Sequence, residues 1–197
     1  LWCLGDIVGY GPWTVECIER LRGIHALSIS GNHDAGATGR MSLDGFNHYA
    51  AQACRWTDNQ LTSDSREYLI SLPETLEEEG FTFVHGSPKA PLEDYLFGYP
   101  QAIEAWEQVA TPHVLVGHTH FQFCAEAGRG LAQPGSGGLS IPRGHARLVI
   151  NPGSVGQPRD SDPRAAYAVY DGESQMISLK RAWYDISATQ RAMADAH

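Results

Sequence analysis

The chain is short of positive charge. Its 14 Lys and Arg stand against 23 Asp and Glu, a formal net charge of −9. Extended DNA binding needs clustered basic side chains, so this balance argues against a long nucleic acid as partner. Uninterrupted apolar runs of the length a spanning helix needs, about 18 residues or more, are missing too, so no membrane partner is expected. Cysteine is sparse. Cys3, Cys17, Cys54 and Cys124 show no Cys-x-x-Cys spacing, which speaks against a closed structural metal tetrad and for reduced thiols in a cytoplasmic protein. Repeats, linkers and low-complexity tracts are absent. With 197 residues, 42% of them hydrophobic, the expectation is one well-packed domain spanning residues 1–197.

What is present alternates between strand and helix. Leu1–Leu4 reads as a strand, and Val15, Ile18 and Leu21 follow helical spacing behind Thr14 as a candidate N-cap. His25–Ile29 is a second strand, so the opening predicts a βαβ unit with parallel strands. Helices are expected over Ser42–Trp56 and Ser63–Leu72, the latter with Asp64 and Glu67 as a capping pair. A hairpin about Gly80 joins Leu76–Glu79 to Phe81–Val84, a helix covers Gln101–Val109, and Thr111–Val116 is a strand. The last third reads as strands at Phe121–Glu126, Ala146–Ile150, Ala166–Tyr170 and Met176–Trp183, with Asp171-Gly172 as a hairpin turn. Gly128–Gly144, holding six Gly and two Pro, is expected to be a mobile loop, and a final helix spans Ser187–Ala196.

Chemistry-bearing residues follow four of these strands, each beside a glycine: Gly5-Asp6, Gly31-Asn32-His33-Asp34, His85-Gly86 and Gly117-His118-Thr119-His120. In extended backbone His118 and His120 project to one side and can serve one polar centre. They can equally serve two metal ions about 3.5–4 Å apart. In parallel sheets ligands bind beyond the carboxyl ends of the strands, where Asp6 and the Asn32-His33-Asp34 cluster lie. His25, His48, His113, His145 and His197 belong to no motif and are read as ordinary histidines.

The ordered series GD, GNHD, HG, GHTH resembles the calcineurin-like metallophosphoesterase family. Gly5-Asp6-Ile7-Val8-Gly9-Tyr10-Gly11-Pro12 and Asn151-Pro152-Gly153-Ser154-Val155-Gly156-Gln157-Pro158-Arg159 are similar to its compact bacterial and archaeal phosphodiesterase branch. The resemblance runs from Leu1 to about Trp183. It implies a four-layer α/β/β/α sandwich of two mixed sheets and a centre of two divalent metal ions. Mn, Fe, Zn and Ni suit such a mixed N/O donor set, with Mn favoured. It implies Asp6 as bridging carboxylate, Asn32, His85 and His118 on the second metal, and His120 on the first. His33 is the implied proton donor to the leaving group, with Asp34 orienting its ring, and a metal-activated water attacks phosphorus in line. Tyr10 and Arg159 are candidate substrate-binding residues. The substrate class is a small or nucleotide-like phosphoester, and a homo-oligomer is left open.

The family's first motif, an Asp-x-His at the end of an earlier strand, does not precede Gly5-Asp6. The first strand is therefore expected to be missing through N-terminal truncation, with metal one keeping only Asp6 and His120. Two rival readings stay open. One is a catalytically impaired binding or scaffold protein. The other is a protein Ser/Thr phosphatase, which Gly-Tyr-Gly-Pro in place of Asp-Arg-Gly disfavours.

Overall fold

The opening strand, helix and strand form the parallel pair that their spacing requires. The computed structural model describes residues 1–135 and 137–196, so His197 lies outside the described residues. Strand β1 (Trp2–Cys3) pairs in parallel with β2 (Leu27–Ser28), joined through α1 (Thr14–Gly23). Thr14 is not the cap. It is the first helical residue and buried, while Trp13 holds the cap position without a side-chain bond, since an indole has no acceptor to offer.

Three helices follow. The first, α2 (Asn32–Ala37), starts inside the Gly-Asn-His-Asp cluster, where the sequence suggested only a strand end. Ala35, Gly36 and Ala37 are small enough for all six residues to be buried. The next, α3 (His48–Gln60), begins later than expected because the Asn47 side chain accepts the Ala50 N–H at 2.9 Å. In α4 (Ser63–Ser71) the cap is Thr62, whose hydroxyl accepts the Ser65 N–H at 3.1 Å, rather than an Asp64–Glu67 pair. Val8, Ile18, Ala37, Leu69 and Leu72 bury one apolar cluster among these elements.

The second half is sheet. It comprises β3 (Thr75–Glu78), β4 (Phe81–Val84), α5 (Tyr99–Glu107), β5 (His113–Leu115), β6 (Gln122–Glu126), β7 (Gly130–Ala132), β8 (Leu139–Pro142), β9 (Leu148–Pro152), β10 (Ala165–Asp171) and β11 (Met176–Ala182). Six strands form a mixed sheet in the order β3-β4-β5-β9-β6-β7, and three form an antiparallel sheet in the order β10-β11-β8. Strands β4, β5 and β9 are adjacent and parallel, so their carboxyl ends meet at one edge. All four residues of β4 are buried, the mark of a central strand covered on both faces. The acidic β3 is exposed at the sheet's edge, where charge discourages further pairing.

The expected loop Gly128–Gly144 is corrected by β7 and β8. The alternation Leu139-Ser140-Ile141-Pro142 carries a strand signal that the glycines obscure, and Ile141 is buried opposite Ile177. Helix α6 (Ile186–Asp195) closes the chain, capped by Asp185 through the Ala188 N–H. Two units result. One comprises Leu1–Glu74 with the residues from Asp185 on, and the other is Thr75–Tyr184. The mixed α/β class is as expected, with the six-stranded sheet mixed and the three-stranded one antiparallel.

One core residue of β5 makes stability depend on pH. His113 is 2% exposed, against the Phe81 ring with centroids 5.1 Å apart. Burial, with help from Arg143 and Arg147, holds its pKa down at about 4. The unfolded chain thus takes up a proton that the folded chain refuses between pH 6.5 and about 4. The His113 contribution is full above pH 6.5 and is lost as pH falls, by up to about 3 kcal/mol. Urea unfolding at pH 7 and pH 4.5 should show this loss, and His113→Leu should reduce the difference between the two pH values.

Candidate metal centre

In the first unit the site is built on a close backbone approach. Asp6 follows β1 and Gly31 follows β2, and a Cβ at Gly31 would overlap the Asp6 carboxylate. Only glycine lets these two strand ends sit side by side. Asp6 Oδ1 then accepts the His33 N–H at 3.0 Å, tying the carboxylate to the first turn of α2. Asp34 accepts the Val8 N–H at 3.1 Å through Oδ1 and the Gly31 N–H at 2.9 Å through Oδ2. It so clamps the loop after β1 to the start of α2. Asn32 and His33 are both buried.

The His33 ring is packed on several sides. Tyr10 stacks on it with centroids 4.1 Å apart, and Phe46 meets it edge-on at 5.3 Å. Cys54 Sγ lies 3.6 Å from Nδ1. Burial pushes the Cys54 thiol up to about 12, so it meets the imidazole as a neutral group.

In the second unit the ligand candidates sit at the common edge of β4, β5 and β9. His85 follows β4, and its carbonyl accepts the Gly117 N–H at 2.8 Å, joining two of the motifs through backbone. The rings of His85 and His118 are buried with centroids 4.9 Å apart. Asn151, at the end of β9, donates to the Gly117 carbonyl at 2.6 Å and to Thr119 Oγ1 at 3.0 Å. The Asn151 segment thus fixes the Gly-His-Thr-His loop.

The backbone of that loop is not extended, contrary to the expectation from a strand continuing past Val116. His118 (φ 60°) and His120 (φ 61°) are left-handed, as is Asp6 (φ 52°). The Thr119 N–H bonds the Gly117 carbonyl at 2.6 Å, closing a three-residue turn on His118. Turns of this hand are rare and strained for a residue with a Cβ.

His120 is oriented by a partner the sequence did not single out. Its Nδ1 lies 2.7 Å from the Gln157 carbonyl. A carbonyl only accepts, so Nδ1 carries a hydrogen, and in the neutral ring Nε2 keeps the lone pair. The Arg159 N–H returns to the His120 carbonyl at 3.3 Å, and the Arg159 guanidinium bonds Gln157 Oε1. Behind this loop Asp160 accepts the Gln122 N–H and pairs with Arg181. The buried Gln122 Nε2 lies 3.0–3.1 Å from the carbonyls of Pro152, Tyr167 and Lys180, which share its two hydrogens. Arg164 is committed to Asp162.

A profile of the calcineurin-like phosphoesterase superfamily domain matches residues 1–175. The chain belongs to that superfamily. The fold of this phosphoesterase is close to that of a metallophosphoesterase crystal structure from Sphaerobacter thermophilus, with a TM-score of 0.88 and 40% identity over 99% of this chain and 82% of that one. The chain is also 39% identical to the uncharacterized protein MJ0912 of Methanocaldococcus jannaschii over 193 residues, 94% of this chain and 76% of that protein. The hypothetical protein PH1004 of Pyrococcus horikoshii shares the fold at a TM-score of 0.80 and 20% identity, over 98% of this chain and 78% of that one.

The phosphoesterase's donor chemistry suits divalent ions. The first unit offers a carboxylate and an amide oxygen and the second offers imidazoles, donors of hard and borderline type. Imidazoles that crowd one another while buried need a reason, and a shared cation is one. Sequence reasoning missed Gln157, Cys54 and Tyr95, whose ring stacks on His118 with centroids 3.8 Å apart. None of the three carries a spacing signal. Gln157 does lie within the quoted Asn151–Arg159 stretch, the one hint available. The bond to Gln157 predicts that neutral His120 is the Nδ1–H tautomer, which imidazole ¹⁵N chemical shifts of the metal-free protein should report. An Nε2–H signature would contradict the orientation described.

Proposed function

We propose that this phosphoesterase hydrolyses a small phosphodiester, in preference to a monoester, with two divalent ions held by Asp6, Asn32, His85, His118 and His120. The observation that carries the reading is the left-handed backbone at Asp6, His118 and His120. Such conformations cost on the order of 1 kcal/mol or more each. Three in one ligand set are hard to account for unless the side chains must point where ordinary backbone would not send them. The His120 Nδ1 bond to a carbonyl supports the same reading, since it prepares Nε2 to donate.

Ions bound by this set supply charge neutralisation at the phosphoryl oxygens and a water acidified for attack on phosphorus. The remaining work falls to the chain itself. His33 holds a proton for the departing oxygen, its ring kept in one orientation by Tyr10 and Phe46. Asp34 positions His33 by fixing the start of α2 against the preceding loop. Tyr10 and Arg159 contact the substrate, Arg159 through a guanidinium suited to a phosphate oxygen. Manganese is the ion to try first. The free thiols at Cys3, Cys17, Cys54 and Cys124 suit a reducing, cytoplasmic setting. No helix among the described residues is long and apolar enough to cross a membrane.

Two substitutions test the assignment. His33→Ala should lower turnover of bis(p-nitrophenyl) phosphate by about 10²–10³ while leaving metal content unchanged. Unaltered turnover would remove His33 from the proton-transfer role. Asp6→Asn should release at least one ion from the Mn²⁺-loaded protein, read by elemental analysis; retention of both would contradict a bridging carboxylate.

A further inference from the structure

The second unit carries a run of aromatic rings that the hydrolytic chemistry leaves unused. Tyr95 stacks on the ligand candidate His118, with centroids 3.8 Å apart and planes 22° from parallel. Phe97 stacks on Tyr95 at 5.6 Å with the planes only 5° apart, and Phe121 meets Phe97 edge-on at 5.9 Å. Tyr95 is 47% and Phe97 53% exposed. Large rings that stay half in water, aligned with one another, forgo much of the burial that normally fixes aromatic side chains.

The sequence builds this run deliberately tight. Leu96, between the two rings, is 1% exposed within the core formed with Trp106 and Val116. Its burial sends Tyr95 and Phe97 to the opposite side. The loop before them is closed by the Gly86 N–H to the Pro91 carbonyl at 2.6 Å and by Ser87 Oγ to Asp94 Oδ2 at 2.8 Å. A Cβ at Gly86 would come within 2.6 Å of the Asp94 carbonyl. The glycine of the His-Gly motif therefore permits the loop that brings Tyr95 onto His118.

We propose that Tyr95 and Phe97 form a stacking platform for the aromatic part of the substrate, a nucleobase. The inference rests on the phosphoesterase reading above. A phosphate held beside His118 would carry its ester group toward the rings, which step outward from His118 at centroid spacings of 3.8 and 5.6 Å. Stacking also suits the surroundings. Exposed Glu93 and Asp94 adjoin Tyr95 and outweigh the exposed Lys89 of the same loop, so a flat neutral ring suits this surface better than further phosphates would. Base–aromatic stacking accepts any base, since each has a π-face. The platform thus sets a preference for nucleotides over other phosphoesters, not for one base.

Equilibrium binding of adenosine 5′-monophosphate and ribose 5-phosphate to the Mn²⁺-loaded protein tests this, alongside hydrolysis of bis(p-nitrophenyl) phosphate. The nucleotide should bind about 10-fold more tightly than the sugar phosphate, the scale of one stacked base. Phe97→Leu, which keeps apolar volume but removes the π-face, should shrink that ratio several-fold without changing ribose 5-phosphate affinity, and Phe97→Trp should preserve it. Equal affinities in the unaltered protein, with the diester hydrolysed, would overturn the platform and leave the phosphoesterase reading standing. A ratio untouched by Phe97→Leu would likewise overturn it. No hydrolysis and no binding of either ligand would overturn the phosphoesterase reading and the platform with it.

Discussion

Left-handed backbone at Asp6, His118 and His120 is the constraint around which the proposed centre is arranged. A residue with a Cβ does not hold that conformation unaided, so neighbouring bonds must over-determine it. Around Asp6 they come from the His33 amide and from the glycine that lets β2's end approach. Around His118 and His120 they come from Asn151, from the Thr119 turn and from the Gln157 carbonyl. The glycines and asparagines of the motifs are not ornaments to the histidines. They are what allows the histidines to sit as they do.

Supporting structure in the second unit serves the same end. Gln122 collects carbonyls from β9, β10 and β11, and through Asp160 and Arg181 it braces the segment that presents Gln157. A buried polar network of this kind is worth having only when nearly every member is satisfied. Here the Arg181 guanidinium donates to the Gln122 amide oxygen, to the carbonyls of Asp162 and Arg164 and to Asp160, while the second Asp160 oxygen, Oδ1, has no partner among the described residues. The antiparallel sheet is thereby part of what holds the loop after β5, although none of its strands carries a ligand candidate.

How much of this was legible beforehand varied with the physics involved. The parallel opening pair, the hairpin about Gly80 and the helix over α4 followed from periodicity and turn residues. The ordered motifs were legible because each follows a strand and carries a residue type with few structural uses in that position. What failed was local. Thr14 and Asp64 were given capping roles that Trp13 and Thr62 occupy, since one residue's shift in a helix start does not alter periodicity. Strands β7 and β8 were hidden because glycine signals flexibility in a sequence whether or not a neighbouring strand takes up the backbone bonds. The hand of the turn at His118 was beyond pattern reasoning, since a His-x-His pair reads alike in either conformation. Tyr95 and Cys54 reach the motif histidines from distant segments, and that information resides in the tertiary fold alone.

The bonds that set His118 and His120 also impose an order on how the protein can be made. Asn151 lies 34 residues beyond Gly117, and Gln157 lies 37 beyond His120. Strand β9 must insert between β5 and β6 before either partner arrives. A chain emerging from the ribosome therefore carries its Gly-His-Thr-His segment for some time without the groups that orient it, and non-local parallel pairing is slow to form. During that interval the two imidazoles lack the bonds that orient them. The geometry of this segment is thus a late product of folding, set only once the chain has been made as far as Gln157.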